Sequence, residues 1–241
     1  MKNEIIFYPK SDLTKQVIPP PIKSKAPDWY KGIPMYQKKS DELLEELVIK
    51  NRSANYSIKS CMPFLDSLTS GYTLNLWCDV QVKIEDGVTY IKWLNQNQEL
   101  SPIESSPDPK VPSMPGFTPY IFSWISHWGI KTPRGYSCLF THPLNRSDLP
   151  FHTTSGIIDT DKWGIWGTQP FALIEGWEGV IPAGTEVAQF FPFKREEWKS
   201  KVDKETKKGS LSEWANFEYQ RHSSKFRGFY RSKYWQKKNY S

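Results

Sequence analysis

Two aspartates flank a threonine in the run Gly156-Ile157-Ile158-Asp159-Thr160-Asp161, directly after a stretch of strand-forming residues. Two short carboxylates in that position can do one of two things. They can accept hydrogen bonds from backbone N–H groups and simply close a turn, or they can face outward and hold a ligand or orient a water. The residue types leave both readings open. Upstream, His142, Asn145 and Arg146 lie in the run Thr141-His142-Pro143-Leu144-Asn145-Arg146, with His152 a few residues on. Together they could line a polar, ligand-binding pocket. Imidazoles without a shared spacing are usually satisfied surface or core groups, so no metal site is expected among them. Trp124, Trp128, Trp163, Trp166 and Trp177 could offer a stacking surface for a base or a sugar, although rings this numerous mostly pack a core or an interface.

A second chemistry-bearing stretch closes the chain. Residues 221–241 carry Arg221, Lys225, Arg227, Arg231, Lys233, Lys237 and Lys238 without an acidic residue, interleaved with rings that include Tyr234 and Trp235. Cations attract phosphates and aromatic rings stack on bases, so nucleic-acid contact is one reading. The other is an amphipathic arm whose rings pack on a protein partner or on another copy of the chain.

The elements that must position these groups are mostly strands. The chain has 241 residues, 15% of them aromatic, with eleven tryptophans and nineteen prolines, a mixture that favours strands and extended loops and excludes an all-helical bundle. Its length allows a packed core without covalent staples. The cysteines, Cys61, Cys78 and Cys138, are three in number and form no C-x-x-C pair, which fits a reducing compartment and argues against a structural zinc. The first residues lack the apolar run of a signal peptide and no stretch approaches a membrane span, so a cytoplasmic location is expected (host cytoplasm or virion for a phage-encoded chain). The formal charge is +6, but residues 194–241 hold fourteen Lys and Arg against six Asp and Glu, net +8, leaving −2 for the rest.

Three segments are expected: 1–54, an extended segment wrapping the body; 55–193, the β-rich core with a loop insertion at about 95–116; and 194–241, a basic aromatic helical arm. A strand is read at residues 3–8, followed by a polyproline-like wrap through Pro19, Pro20 and Pro21, with Trp29 and Tyr30 as its anchors. A short helix is read at 40–49 and another from Pro63 to Gly71, with Pro in its first turn and Gly closing it. From Leu74 to Ile84 the even positions are Leu, Leu, Cys, Val, Val and Ile, a period of two that reads as one long strand. Asp86-Gly87 is a hairpin turn signal, with Val88–Leu94 returning as the partner strand. The stretch Phe117–Ile125 also reads as a strand, and further strands are expected at 128–132, 135–141, 164–173 and 185–193. Many short strands bounded by Gly or Pro argue for a barrel or sandwich. Beyond Pro192 helix is expected, with Ser210 or Ser212 as cap.

Two resemblances attach to these motifs. Cys61-Met62-Pro63, Thr132-Pro133-Arg134-Gly135-Tyr136, Pro143-Leu144-Asn145-Arg146 and Gly156–Asp161 together resemble domain-of-unknown-function family 6065, an uncharacterised group of bacterial and tailed-phage proteins. That implies phage ancestry and says nothing about activity, since the family has no assigned one. Gly156–Asp161 with Gly164, followed at a spacing of about twenty-five residues by Gly184-Thr185-Glu186-Val187-Ala188-Gln189, resembles the third and fourth motifs of the trimeric dUTP pyrophosphatases. The fold implied is a β-clip. Asp159 would then be the water-orienting catalytic base, and Asp161 and Gln189 would line the ligand, with Mg²⁺ as cofactor. The chain departs from that pattern at Thr73, where the metal-binding Asp belongs, at Lys162 in place of a Tyr, at His142–Arg146 in place of Arg-Ser, and at Glu186 in place of a basic residue. Charge developing on a triphosphate would go unneutralised without those groups. The expectation is therefore a non-catalytic, cofactor-free binding or assembly protein, with a trimer and a phage structural role among its forms, and with a dNTP phosphohydrolase and a nucleic-acid binder as alternatives.

Overall fold

In the computed structural model, residues 3–35, 57–94, 100–105, 114–119, 121–164, 167–202, 213–216, 219 and 226–241 are described. The chain forms two units, one of residues 1–24, 70–196 and 240–241, the other of 25–69 and 197–239.

The first unit is antiparallel β throughout its described strands. They are β1 (Ile6–Pro9), β2 (Ile22–Lys23), β3 (Tyr72–Asn75), β4 (Asp79–Glu85), β5 (Val88–Leu94), β6 (Ile103–Ser105), β7 (Phe122–Ile125), β8 (Trp128–Lys131), β9 (Tyr136–Thr141), β10 (Phe151–Thr153), β11 (Gly156–Ile158), β12 (Thr168–Leu173), β13 (Gly179–Ile181) and β14 (Glu186–Lys194), with α1 (Asp12–Val17) between the first two. They assemble into sheets of order β11-β9-β14-β3-β2, β10-β12-β7-β6, β13-β4-β5 and β1-β8. One buried cluster takes side chains from all four: Phe140, Ala188 and Phe190 from the first, Trp124, Phe151 and Phe171 from the second, Val80, Val82 and Ile181 from the third and Ile130 from the fourth. Trp124 lies flat on Phe171, with ring centroids 3.7 Å apart and planes 7° from parallel. Its indole N–H donates to Thr153 Oγ1 at 3.1 Å, and Thr153 in turn donates to the Val187 carbonyl. The mainly β class expected from the composition is the class found.

The even-position apolar residues do face the core, from Leu74 to Val82, but they do not belong to one strand. The chain turns a corner at Leu76–Cys78, leaving β3 in the five-stranded sheet and entering β4 in the three-stranded one. Leu76 N–H donates to the Thr185 carbonyl at 2.8 Å and the Leu76 carbonyl accepts from Gly184 N–H at 2.7 Å, so the corner is bonded to the turn before β14. Strand alternation sees burial, and a chain crossing between two sheets over one core keeps the same faces buried.

The Asp86-Gly87 turn is as expected: φ is +51° at Asp86 and +76° at Gly87, positive at both central residues as the I′ turn between β4 and β5 requires. Within the N-terminal segment expected to be extended, residues 12–17 form α1, capped by Ser11 Oγ accepting from Thr14 N–H at 3.1 Å, whereas Pro19, Pro20 and Pro21 lie outside any helix. Within the 95–116 insertion, β6 joins the four-stranded sheet. After Pro192 the strand β14 continues to Lys194 and residues 195–202 carry no helix. The helix read at 40–49 and the cap candidates Ser210 and Ser212 lie outside the described residues.

The second unit contains α2 (Asp28–Gly32), a 3₁₀ turn at Ile58–Ser60, α3 (Met62–Thr69) and α4 (Phe226–Lys233). Tyr30 is buried and stacks on Phe64 at 6.0 Å, whereas Trp29 is 38% exposed. The Lys59 ammonium donates to the carbonyls of Lys31 and Ile33 at 2.7 and 3.0 Å, closing the end of α2 with a cation where the helix dipole is negative.

Candidate functional site

The acidic turn begins where β11 ends. Asp159 turns the chain, its carbonyl accepting from Lys162 and Trp163 N–H at 2.9 and 2.8 Å. Thr160, buried, sets its hydroxyl 2.7 Å from that of Thr132 and 3.4 Å from Cys138 Sγ. These bonds fix the two flanking carboxylates on the β9 side.

There they meet Arg195, just past the end of β14. Its Nη1 has the Tyr136 carbonyl at 2.9 Å, Ser137 Oγ at 2.8 Å, Asp159 Oδ1 at 3.2 Å and Asp161 Oδ1 at 2.9 Å as acceptors for its two protons, while Nη2 donates to Asp161 Oδ2. Asp161 Oδ2 also accepts from Gly135 N–H at 2.8 Å, and Ser137 Oγ donates to Asp159 Oδ1 at 2.7 Å. The Asp161 side chain is only 3% exposed, against 51% for Asp159. The Arg195 guanidinium and then the Gly135 N–H hold the Asp161 carboxyl down to about 2. A carboxylate this well bonded stays ionised and pinned, so it is poorly suited to pass a proton at neutral pH. Asp159 keeps half of its side-chain surface open.

Gln189, His142, Asn145 and Arg146 collect elsewhere. In the β9–β14 ladder Lys194 faces Tyr136 and Gln189 faces Thr141, so the acidic turn and Gln189 stand at opposite ends, five residues or about 17 Å apart along the strand. Gln189 is buried; its Oε1 accepts from Leu144 N–H at 2.8 Å and its Nε2 donates to the Ser70 carbonyl at 2.7 Å. It pins the 143–146 turn to the start of β3. Asn145 takes the left-handed conformation in that turn, with φ +59°. Arg146 makes a two-pronged bond to Asp148, Nε to Oδ1 at 2.8 Å and Nη2 to Oδ2 at 2.9 Å, and reaches Glu186 Oε2 at 2.9 Å. The acid at 186 thus has a cation of this chain beside it.

His142 Nε2 donates to the Arg146 carbonyl at 2.9 Å and Nδ1 accepts from Thr153 N–H at 3.3 Å, an arrangement open only to the neutral ring. Burial pushes its pKa down to about 4. His152 stacks beside it, centroids 4.6 Å apart. Among the described residues no group of three or more His, Cys, Asp or Glu side chains is arranged to hold a metal ion.

Beside the 143–146 turn lies a cavity of about 310 Å³, lined among others by Asp148, Leu149, Trp177, Val180 and Thr185. That is the lower end of ligand-sized pockets. Trp177 packs against Gly179, where a Cβ would fall 2.9 Å from the indole. The sequence flags Trp177 only as one ring among several and Thr185 only as part of the Gly184–Gln189 motif, and Asp148 and Arg195 not at all. Of the other rings, Trp124 is core, Trp128 donates to the Ile18 carbonyl at 3.1 Å, Trp163 is 59% exposed, and Trp166 lies outside the described residues.

Of the C-terminal candidates, Arg221 and Lys225 lie outside the described residues and Arg227 sits on α4. Arg231, Lys233 and Tyr234 are exposed. Trp235 is committed within the second unit, its indole N–H donating to Asp66 Oδ2 at 2.8 Å, with the Lys238 ammonium 2.9 Å from the same oxygen.

No helix among the described residues is long and apolar enough to cross a membrane. No family model matches the chain, and no curated protein matches it. Among solved structures, a mutant DUTPase from phage phi11 of S. aureus, described with a structural Mg(II) ion, aligns over 84% of this chain and 98% of its own at 11% identity and a TM-score of 0.34.

Proposed function

We propose that this chain is a non-catalytic binding or assembly protein on a β-clip-like framework. The observation that supports this reading best is the commitment of Asp161 and Gln189, the two groups that the motif resemblance would place along a nucleotide, even though Asp159, the base it implies, stays half open. Asp161 is buried under Arg195 and Gly135. Gln189 is spent on Leu144 and Ser70 at the far end of the same strand pair. Each polar group stabilises the fold through bonds that a phosphate would have to break, and for the buried Gln189 amide giving up such a bond costs ~1–3 kcal/mol. Self-association, in a trimer or another closed ring, is the mode of action we favour.

Incubation of the purified protein with each dNTP and Mg²⁺ tests the chemistry. No release of pyrophosphate is expected, and Asp159→Ala should change nothing. Release abolished by Asp159→Ala would establish the hydrolase instead. Light scattering tests the assembly: a mass that is an integral multiple of the 28.1 kDa chain is expected, and a monomer at every concentration would remove self-association. The nucleic-acid reading of residues 221–241 predicts salt-dependent binding of an oligonucleotide that falls when Arg231 and Lys233 are replaced by Glu.

A further inference from the structure

A second, much smaller cavity of about 30 Å³ lies in the first unit beside the corner at Leu76–Cys78, between Pro19, Trp77, Trp124, His127, Trp128 and Gln169. Three of these side chains carry a fully buried polar atom that has no hydrogen-bond partner in the protein: Trp77 Nε1, His127 Nδ1 and Gln169 Oε1. His127 and Gln169 are themselves almost wholly buried, only 5% and 4% exposed. Three such atoms around one cavity are unusual, because buried polar groups are almost always satisfied.

Their donor and acceptor character is fixed by the surrounding bonds. His127 Nε2 lies 2.8 Å from the Ser101 carbonyl, an acceptor only, so the ring proton sits on Nε2 and Nδ1 is left an acceptor. Burial lowers the pKa of this histidine and keeps it neutral. Gln169 Oε1 is a second acceptor and the Trp77 indole N–H a donor. We infer that the cavity is a built hydration site holding one or two ordered waters. Water supplies protons for the two acceptors and a lone pair for the indole, and a space of about 30 Å³ has room for one or two such molecules. The waters tie the corner between β3 and β4 to Gln169 of β12 and to the β7–β8 connection, which are themselves joined by the Ser126 N–H bond to the Gly167 carbonyl at 3.0 Å.

The test is a high-resolution crystal structure of the full chain together with water ¹⁷O relaxation dispersion in solution. Density within hydrogen-bond range of Trp77 Nε1, His127 Nδ1 and Gln169 Oε1 is expected, with a long-lived water signal that falls by one or two molecules in Gln169→Met. Should Gln169→Met fail to fold, nitrogen-detected NMR of wild-type His127 is the second readout: the Nε2–H tautomer is expected. A dry cavity, an unchanged count of long-lived waters in a folded Gln169→Met, or an Nδ1–H tautomer would each overturn the inference.

Discussion

Arg195 shows how one side chain decides what the acidic turn can do. It touches Tyr136, Ser137, Asp159 and Asp161, and without it the Asp161 carboxylate is held by backbone N–H groups alone, those of Gly135 and of Asp161 itself. Arg195→Ala is expected to lower the thermal midpoint clearly, and Arg195→Lys to recover only part of the loss, because an ammonium cannot reproduce a planar fork. The pH dependence carries the signature. The folded pKa of Asp161 is depressed to about 2 against ~3.9 in an unfolded chain. Its contribution is therefore complete above pH ~4 and is lost as the pH falls toward 2. In Arg195→Ala that acid limb should shrink, which denaturant melts at pH 5, 4 and 3 would measure; identical acid limbs would contradict the clasp. The cysteines give a second residue-scale prediction. Burial pushes the thiols of Cys78 and Cys138 up to about 11, whereas Cys61 is exposed. Since the thiolate is the reactive form, a thiol reagent added to native protein should titrate one cysteine quickly and two only on unfolding.

At the scale of elements, two glycines with nearly the same φ separate strain from space. At Gly87, φ +76°, an added methyl would meet nothing within 4 Å, whereas at Gly71, φ +75°, it would fall 2.4 Å from the Phe190 carbonyl oxygen and 2.9 Å from Phe191. Gly87→Ala should cost only the left-handed penalty of ~1 kcal/mol, and Gly71→Ala several times that, since β3 and β14 must part to admit it. Equal losses in urea melts would mean that β3 and β14 yield there without resistance. Thr153→Val tests the link between sheets: it strands the Trp124 indole N–H in the core and should cost ~1–3 kcal/mol. The same elements show what a sequence can and cannot convey. The hairpin at Asp86-Gly87 and the helix α3 are legible because their signals are local. The corner at Leu76–Cys78 is not, because its cause is the bonding of Leu76 to Gly184 and Thr185, more than a hundred residues away. The acidic turn is legible as a motif. Its meaning is not, because it depends on Arg195, whose position beside Asp161 is set by the β9–β14 register, information no short window contains.

For the whole molecule, the histidines set the shape of stability between neutral and acid pH. His142 is neutral in the fold, with a pKa of about 4, but titrates at ~6.5 when unfolded. Between those values the unfolded chain binds a proton that the folded chain refuses, so stability falls as the pH drops from 6.5 toward 4, by roughly 3 kcal/mol at most for this one ring. His127 and His152 are lowered by burial in the same direction and add to the slope. Protonation at His142 Nδ1 would also break the bond from Thr153 N–H, in the same strand that relays Trp124 to Val187. His142→Gln, which keeps a donor and an acceptor without a titrating proton, is expected to be less stable than wild type at pH 7.5 yet to lose less on going to pH 5. Urea midpoints at the two pH values decide it, and a variant losing as much as wild type would place the acid sensitivity elsewhere. The order of the two limbs is itself a prediction, because His142 must begin to fail above pH 4 and the Asp161 clasp only below it.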